Sequence, residues 1–196
     1  LLEIGTGWGG MAIYAAQQFN CKVTTTTISK QQYQYALAKV KKYGLEEKVS
    51  VLLEDYRNLS GQFDKLVSIE MIEAVGDQFF GKYFKSCSQL LTPNGKMVLQ
   101  AITIPDQRYQ AATNTVDFIK KYIFPGGCLP SIGKIAYHVG KDTDMQITHL
   151  RDIAQDYATT LSIWRNRFLS KSEEVVRQGF GERFVRMWEF YLAYCE

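Results

Sequence analysis

The feature that most constrains the fold is a glycine-rich segment at the start of the chain. Residues 1–10 read LLEIGTGWGG, so an apolar run passes directly into closely spaced glycines. Glycine lets the backbone turn tightly and lets a ligand approach the main chain, and a helix that begins after such a turn offers free N–H groups. The pattern predicts a strand, a tight turn and a helix from about residue 11, with a nucleotide-like ligand bound at the turn.

Short apolar runs alternate with amphipathic stretches through residues 1–104, which is typical of strand–helix units that build a mostly parallel sheet. A first strand would normally have several residues before Leu1, and we expect the chain to be truncated at both ends. Helices are predicted at residues 30–43 and 77–91, with a turn at residues 92–95. The predicted strands lie at residues 1–4, 22–28, 49–54, 65–69 and 95–104. The predicted fold class is α/β with a Rossmann-like sheet.

The alternation of predicted strands and helices ends in the second half of the chain. We predict a helix at residues 109–123, a loop rich in proline and glycine at residues 124–131 and a further helix after Pro130 that Ser131 would cap. A short strand at residues 149–153 and two helices, near residues 156–171 and 181–194, would follow. Residues 105–145 would then form a helical lid inserted into the fold. A hydrophobic content of 46% in 196 residues is enough for one sizeable core. We therefore predict a single domain over residues 1–196.

Composition excludes several classes of protein. The formal net charge of +3 is too small for a nucleic-acid footprint. The four cysteines are far apart and the two histidines are isolated, so we expect no metal site and a reducing compartment such as the cytosol. No run approaches the roughly 20 apolar residues that a spanning helix needs. We expect no transmembrane segment.

The identity of the ligand depends on acidic residues near the glycine turn. The glycines also satisfy the loose dinucleotide fingerprint, but the second predicted strand ends in threonines and a serine, without the carboxylate that would hold a ribose. The next strand ends at Asp55 and Tyr56. Asp55 could bond an adenine amino group, and Tyr56 could stack on the base. Taken singly, Asp55 would be a turn cap and Tyr56 a half-buried core ring. Glu3 favours a cationic neighbour over a pyrophosphate. The residues favour S-adenosylmethionine over a dinucleotide, and an oxidoreductase is the least favoured alternative.

Several blocks resemble those of the cyclopropane fatty acid synthases and mycolic acid cyclopropane synthases. The resemblance extends over essentially the whole chain and implies a Rossmann-like class I methyltransferase fold. The blocks are LEIGTGWGG at residues 2–10, TISKQQ at 27–32, DYR at 55–57, FDKLVSIEMIE at 63–73, FPGG at 124–127, LPS at 129–131, DYATTL at 156–161 and YLAYC at 191–195.

The resemblance implies an enzyme that transfers the methyl carbon of S-adenosylmethionine to a cis double bond of an unsaturated phospholipid acyl chain, which forms a cyclopropane ring. It implies S-adenosylmethionine as cofactor and a bicarbonate ion as base. We expect a cytoplasmic enzyme with peripheral, transient association with the membrane surface, and a homodimer is compatible with the resemblance. Basic side chains would meet anionic lipid or form a solvated face; they are Arg165, Arg167, Lys171, Arg177, Arg183 and Arg186.

The resemblance also implies roles for individual residues. The cofactor-binding residues are Glu3, Ile4, Gly5, Thr6, Gly7, Trp8, Gly9, Thr27, Gln32, Asp55 and Tyr56. The catalytic residues are Glu73, Tyr157, Gln100, Ile102 and Cys195. Glu73, Tyr157 and the backbone around Ile102 would hold bicarbonate, and a carboxylate can do so only by accepting the proton of that anion. Many family members have histidine at the position of Gln100, and Cys195 lies on an apolar helical stripe where cysteine is usually a small core residue.

Two alternatives to lipid cyclopropanation remain open at this point. One keeps the cofactor but methylates another lipid or an amine without ring closure, because related enzymes share the fold and the region of Glu73. The other is a non-catalytic protein that binds lipid or cofactor, which the replacement at Gln100 makes conceivable. The presence of Glu73 and Tyr157 favours an enzyme.

Overall fold

A parallel sheet organises the first part of the chain. The computed structural model describes residues 1–196 and contains five strands in the order β3-β2-β1-β4-β5, in which every neighbouring pair is parallel. The strands are β1 Leu2–Ile4, β2 Val23–Thr27, β3 Val49–Leu53, β4 Phe63–Ile69 and β5 Leu91–Gln100. The α/β fold class predicted from the sequence is confirmed.

Two helices connect the first three strands, α1 at Gly10–Phe19 and α2 at Lys30–Lys42. Helix α1 starts one residue before the predicted position, directly behind the glycine turn. The Ser29 hydroxyl accepts a hydrogen bond from the backbone N–H of Gln32, which satisfies one of the free donors at the start of α2. Alanines of α1 and α2 pack with buried valines of β2 and β3. Small side chains therefore let these helices lie close to the sheet.

The other face of the sheet is covered by larger side chains. Helices α3 Phe80–Gln89, α4 Asp106–Asn114 and α5 Ile132–Asp142 belong to this part of the molecule. Three aromatic rings of α3 are buried against the central strands β1 and β4. The Ser131 hydroxyl accepts from the backbone N–H of Lys134, so that Ser131 caps α5. This core fixes the position of the central strands and therefore of the loops that follow them.

The chain divides into two compact units. The first comprises Leu1–Val116 and Gly126–Ile147, and the second comprises Asp117–Pro125 and Thr148–Glu196. The second unit is helical and has its own buried cluster around Leu161. Its elements are a π-helix at Ile119–Ile123 and helices α6 Ala154–Ser170, α7 Ser172–Arg177 and α8 Glu182–Cys195. The residues of the predicted lid, 105–145, are divided between the units. The organisation into one domain with a lid stays a prediction.

Three predicted elements are wrong in detail. Residues 149–153 form no strand, because nearly all of this stretch is exposed and no burial favours pairing. The helix predicted at residues 109–123 is interrupted at residues 115–117, where Thr115 adopts an extended conformation. Strand β5 begins at Leu91 rather than at residue 95, so the predicted turn at residues 92–95 is an irregularity inside the strand. None of the helices combines the length and the apolar character needed to span a bilayer.

Candidate active site

The loops that follow the parallel strands meet at one edge of the sheet. Strand β1 lies between β2 and β4, so the chain reverses its direction of winding between β1 and β4. Ligands of such sheets bind in the crevice at this reversal, outside the carboxyl ends of the strands. The Gly5 N–H donates to the Thr26 carbonyl at 3.1 Å, and the Glu70 N–H donates to the Gln100 carbonyl at 2.9 Å. These bonds join neighbouring loops along this edge of the sheet. Most of the residues predicted for the site lie in these loops.

The glycine turn has the backbone conformation that its sequence predicts. Gly5, Gly7 and Gly9 have φ values of +100°, +51° and +75°, in the region that favours glycine. A Cβ on Gly9 would lie 3.2 Å from the Cβ of Ala36, so this glycine allows α2 to pack against the turn. A Cβ on Gly7 would meet no atom within 4 Å. The open side of the turn is therefore at Gly7, where a ligand can approach the main chain.

Glu3 is a buried acid in the middle of the sheet. Its carboxylate accepts a hydrogen bond of 2.6 Å from the Thr25 hydroxyl, which lies 2.7 Å from the hydroxyl of Thr6. Burial raises the pKa of Glu3 from 4.5 to about 7, and the bond from Thr25 opposes this rise. Because a positive charge nearby would stabilise the ionised form, the site is suited to a cationic ligand.

The remaining residues of the first two strand ends have different surroundings. Ile4 is buried in β1, whereas Trp8 is 57% exposed and packs edge-to-face against Tyr35. The Thr27 hydroxyl donates to the side-chain carbonyl oxygen of Gln32 at 2.8 Å. Thr27 and Gln32, which the resemblance assigns to the ribose region, thus lie together. Their contact with a cofactor stays a prediction.

Asp55 and Tyr56 follow β3 and are already engaged in the protein. Asp55 accepts bonds from the Arg57 side chain at 2.9 and 2.6 Å and from its backbone N–H at 2.9 Å. The side-chain bond from Arg57 holds the pKa of Asp55 below its usual range. Tyr56 is half-buried and packs edge-to-face on Tyr83, and burial raises its pKa. Asp55 is a turn cap and Tyr56 is a core ring, and their binding of adenine stays a prediction.

Glu73 has one carboxylate oxygen engaged and one available. It lies in a short 3₁₀ helix, Ile72–Ala74, and its Oε1 accepts a bond of 2.6 Å from the backbone N–H of Ile102. Its Oε2 is buried and has no hydrogen-bond partner. Burial is the main cause that raises the pKa of Glu73, and the charge of Glu70 adds to it. A buried polar atom without a partner marks a place where a ligand can supply one.

Gln100 ends β5 two residues before Ile102, and its amide bonds to Glu70. Its Nε2 donates to Oε1 of Glu70 at 2.8 Å. Glu70 also has a φ of +49°, which is unusual for a residue other than glycine. No role was predicted for Glu70, because residue type alone does not reveal that a glutamate adopts this conformation. Its position directly after β4, at the reversal of winding, was the available signal.

Tyr157 and Cys195 lie in the second unit. Both are half-buried and pack against the cluster around Leu161, Tyr157 from α6 and Cys195 from the end of α8. Burial raises the pKa of the Cys195 thiol, which disfavours the thiolate that a nucleophile would need. Cys195 thus has the surroundings of a core residue. The catalytic roles predicted for Tyr157 and Cys195 stay predictions.

Half of the basic side chains that were considered for lipid contact are paired within the second unit. Arg165 lies 3.0 Å from Glu196, Lys171 lies 3.5 Å from Glu174, and Arg186 lies 3.6 Å from Glu182. The Lys171–Glu174 and Arg186–Glu182 pairs are exposed and contribute little to stability, whereas the side chains of Arg165 and Glu196 are only 31% and 29% exposed. A contact of this face with anionic lipid stays a prediction.

Comparison with known proteins gives matches over the whole chain. Residues 1–196 match the family model described as mycolic acid cyclopropane synthetase. The chain is 43% identical over 196 residues to the tuberculostearic acid methyltransferase UfaA1 of Mycobacterium tuberculosis, covering 100% of this chain and 46% of that protein. It is 38% identical over 195 residues to the cyclopropane-fatty-acyl-phospholipid synthase of Escherichia coli K12, covering 100% of this chain and 48% of that protein. The chain spans about half the length of these curated relatives.

A solved structure matches the fold described above. The crystal structure of mycolic acid cyclopropane synthase CmaA1 with SAH and CTAB has a TM-score of 0.88 and 24% sequence identity. The match covers 99% of this chain and 70% of that chain. At this level of identity the likeness shows the fold, which is the class I methyltransferase arrangement.

Proposed function

This chain belongs to the mycolic acid cyclopropane synthetase family, and from that membership we propose that the protein is an S-adenosylmethionine-dependent methyltransferase acting on unsaturated lipid. The proposed reaction adds one carbon to a cis double bond of a phospholipid acyl chain and closes a cyclopropane ring. The observation that carries the proposal is Glu73, whose buried Oε2 lacks a partner at the edge where the ligand crevice of such sheets lies. The activity is proposed for the full-length protein.

The residues after β1 and β2 fit S-adenosylmethionine. Gly7 leaves an open approach to the main chain, and Glu3 is a buried acid that a sulfonium amino acid would help to ionise. Thr27 and Gln32 would contact the ribose region, and Asp55 with Tyr56 would lie near the adenine. When bound, S-adenosylmethionine supplies an electrophilic methyl group. The role of the chain is to hold the acceptor double bond in line with that group and to exclude water, because an alkene is a weak nucleophile.

Ring closure requires a base, and Glu73 is placed to organise one. Addition of the methyl group would use the electron pair of the double bond and break the methyl–sulfur bond, which leaves S-adenosylhomocysteine. Removal of a proton from the added carbon would then release the pair that closes the ring. Because Oε1 of Glu73 accepts the Ile102 N–H, Oε2 is the atom that would accept the proton of a bound bicarbonate. Bicarbonate, oriented in this way, would supply the basic oxygen. A catalytic role for Tyr157, which lies in the second unit, is proposed from the resemblance alone.

The proposed acceptor is a lipid at the membrane surface. The Escherichia coli relative is named for a fatty acyl phospholipid, and it shares 38% of its residues with this chain over the matched region. An acyl chain inside a bilayer can be reached only by a protein that approaches the surface. We therefore propose a peripheral and transient association with the membrane.

A second candidate is methylation of an unsaturated acyl chain without ring closure. The relative at 43% identity is named as a tuberculostearic acid methyltransferase rather than as a cyclopropane synthase. The two reactions share the first step and differ in the fate of the resulting cation. If a hydride shifts from the methylated carbon to the neighbouring cationic carbon, and the added carbon then loses a proton, the product is a methylene branch with a new double bond. The position of the base decides between these products.

The test is product analysis with the full-length protein, S-adenosylmethionine and vesicles of a cis-unsaturated phospholipid. Both candidate products gain one CH2, so mass alone does not separate them. Mild hydrogenation adds two hydrogen atoms to a methylene branch and leaves a cyclopropane unchanged, and proton NMR identifies the ring. A product that resists hydrogenation supports cyclopropanation, and one that takes up hydrogen supports the second candidate. Absence of any carbon transfer, with cofactor bound, would overturn the proposal.

A further inference from the structure

Two acids of the loop after β4 hold two groups at the end of β5. Glu70 Oε1 accepts from Gln100 Nε2 at 2.8 Å, and Glu73 Oε1 accepts from the backbone N–H of Ile102 at 2.6 Å. The backbone N–H of Glu70 also donates to the carbonyl of Gln100 at 2.9 Å. Glu70 and Gln100 are thus joined by main chain and side chain together. The two acids are three residues apart, and the groups that they hold are two residues apart.

Glu70 has this contact despite an unfavourable backbone. Only Asn20 and Glu70 combine a side chain with a positive φ, at +50° and +49° respectively. Asparagine tolerates this conformation, whereas glutamate does so poorly, because its Cβ lies close to the backbone. A strained residue persists where its surroundings or its function require it. Glycine would relieve the strain at residue 70 but would lose the bond to Gln100.

We propose that Glu70 is a positioning residue that holds the Gln100 amide and, with it, the end of β5. The backbone N–H of Ile102 then keeps its hydrogen bond to Oε1 of Glu73, and Oε2 of Glu73 stays available. This inference rests on the proposed function, because it assigns Glu70 to the organisation of the same base. In this arrangement Glu70 holds Gln100, and the backbone from Gln100 to Ile102 in turn orients Glu73. A carboxylate is a strong acceptor for an amide N–H, which suits it to this role.

The proposal predicts that stability and turnover respond in opposite directions when Glu70 is replaced by glycine in the full-length protein. Glu70→Gly relaxes the backbone, so the midpoint of thermal unfolding stays the same or rises. It also frees the end of β5, so turnover falls about tenfold to a hundredfold, which is the scale of a small misplacement in an active site. Glu70→Gln keeps an acceptor oxygen for Gln100 and loses no more than about fivefold. Asn20→Gly is the matched control, since it relaxes the same backbone conformation away from the site and leaves turnover unchanged.

The Ile102 amide provides a second readout that does not depend on activity. In full-length protein labelled with ¹⁵N-isoleucine, the Ile102 N–H should resonate downfield because of its short bond to Glu73. The resonance should move upfield in Glu70→Gly and in Gln100→Ala and stay in place in Glu70→Gln. An unmoved resonance in Glu70→Gly, or full turnover by that variant, would overturn the positioning role. If the wild-type enzyme transfers no carbon to any lipid, the proposed function fails, and the Ile102 resonance alone decides whether Glu70 positions the edge.

Discussion

Replacement of Glu3 by glutamine should make the protein more stable at alkaline pH and a weaker binder of S-adenosylmethionine. Glu3 is buried in β1 and its side chain is 3% exposed, so ionisation in the folded state leaves a charge in a poorly solvated place. Glutamine has the same shape and keeps an oxygen that can accept the bond from Thr25. The substitution therefore removes the charge and preserves the packing.

The magnitude follows from the pKa. Burial raises the pKa of Glu3 from 4.5 to about 7, and this rise corresponds to about 3 kcal/mol of unfolding free energy. Because the folded protein binds the proton more tightly than the unfolded chain does, this contribution is fully present below pH 4.5. It is lost as pH rises to about 7 and is absent above that value. At pH 8, Glu3→Gln should thus raise the free energy of unfolding by about 3 kcal/mol.

Urea unfolding of wild type and Glu3→Gln, followed from pH 5 to pH 8, measures this difference directly. The gap between the two proteins should widen with pH. Glu46→Gln is the matched control, because Glu46 is exposed and should leave the curve of wild type unchanged. Isothermal titration of each protein with S-adenosylmethionine should give weaker binding for Glu3→Gln alone. A constant gap between wild type and Glu3→Gln across this pH range would refute the argument from burial.

Three further predictions concern other parts of the molecule. Glu73→Gln should lower turnover by about a hundredfold or more and leave the dissociation constant of S-adenosylmethionine nearly unchanged, and unchanged turnover would remove Glu73 from the mechanism. Gly9→Ala should lower the free energy of unfolding by about 1–2 kcal/mol in urea, because its φ is +75° and the new Cβ would lie 3.2 Å from Ala36; no loss would mean that the turn relaxes. Ser131→Ala should cost about 1 kcal/mol or more in the same assay by removing the cap of α5 and the hydrogen bond to Asp106, and an equal cost from the exposed Ser60→Ala would contradict a specific role of Ser131.

The strands and the glycine turn were predictable because their signals are local. Apolar runs bounded by turn residues identify β1 to β4 within a few residues, and the glycines at positions 5, 7 and 9 have the positive φ that their spacing predicts. The predictions that were wrong depend instead on contacts that the local sequence does not encode. A short alternating run at residues 149–153 reads as a strand, but pairing needs a neighbour and burial, and neither is encoded in the run itself. The periodic pattern predicts one helix over residues 109–123, but the extended backbone of Thr115 ends helix α4 at Asn114.

The candidate site was predictable only in part. Glu73 and Ile102 could be named from the resemblance, but their direct bond joins positions that lie far apart in the sequence and meet through the pairing of β4 with β5. Asp55 and Tyr56 were assigned to a ligand, and the structure adds the turn cap and core contacts that the same residues make without one. The role of Glu70 depends on a backbone angle, which residue type does not reveal.

The irregularity at the start of β5 limits which residues of this strand can pair with a further strand. Among the strands of residues 1–196, β5 has a neighbour on one side only, so its other side can take a further strand. Here β5 advances five residues, from Leu91 to Lys96, while β4 advances two, from Phe63 to Lys65. Pro93 lies in the bulged part and has no N–H to donate. A regular ladder on the outer side of β5 is therefore interrupted before Lys96, and a further strand beside β5 could pair regularly only from that residue onward.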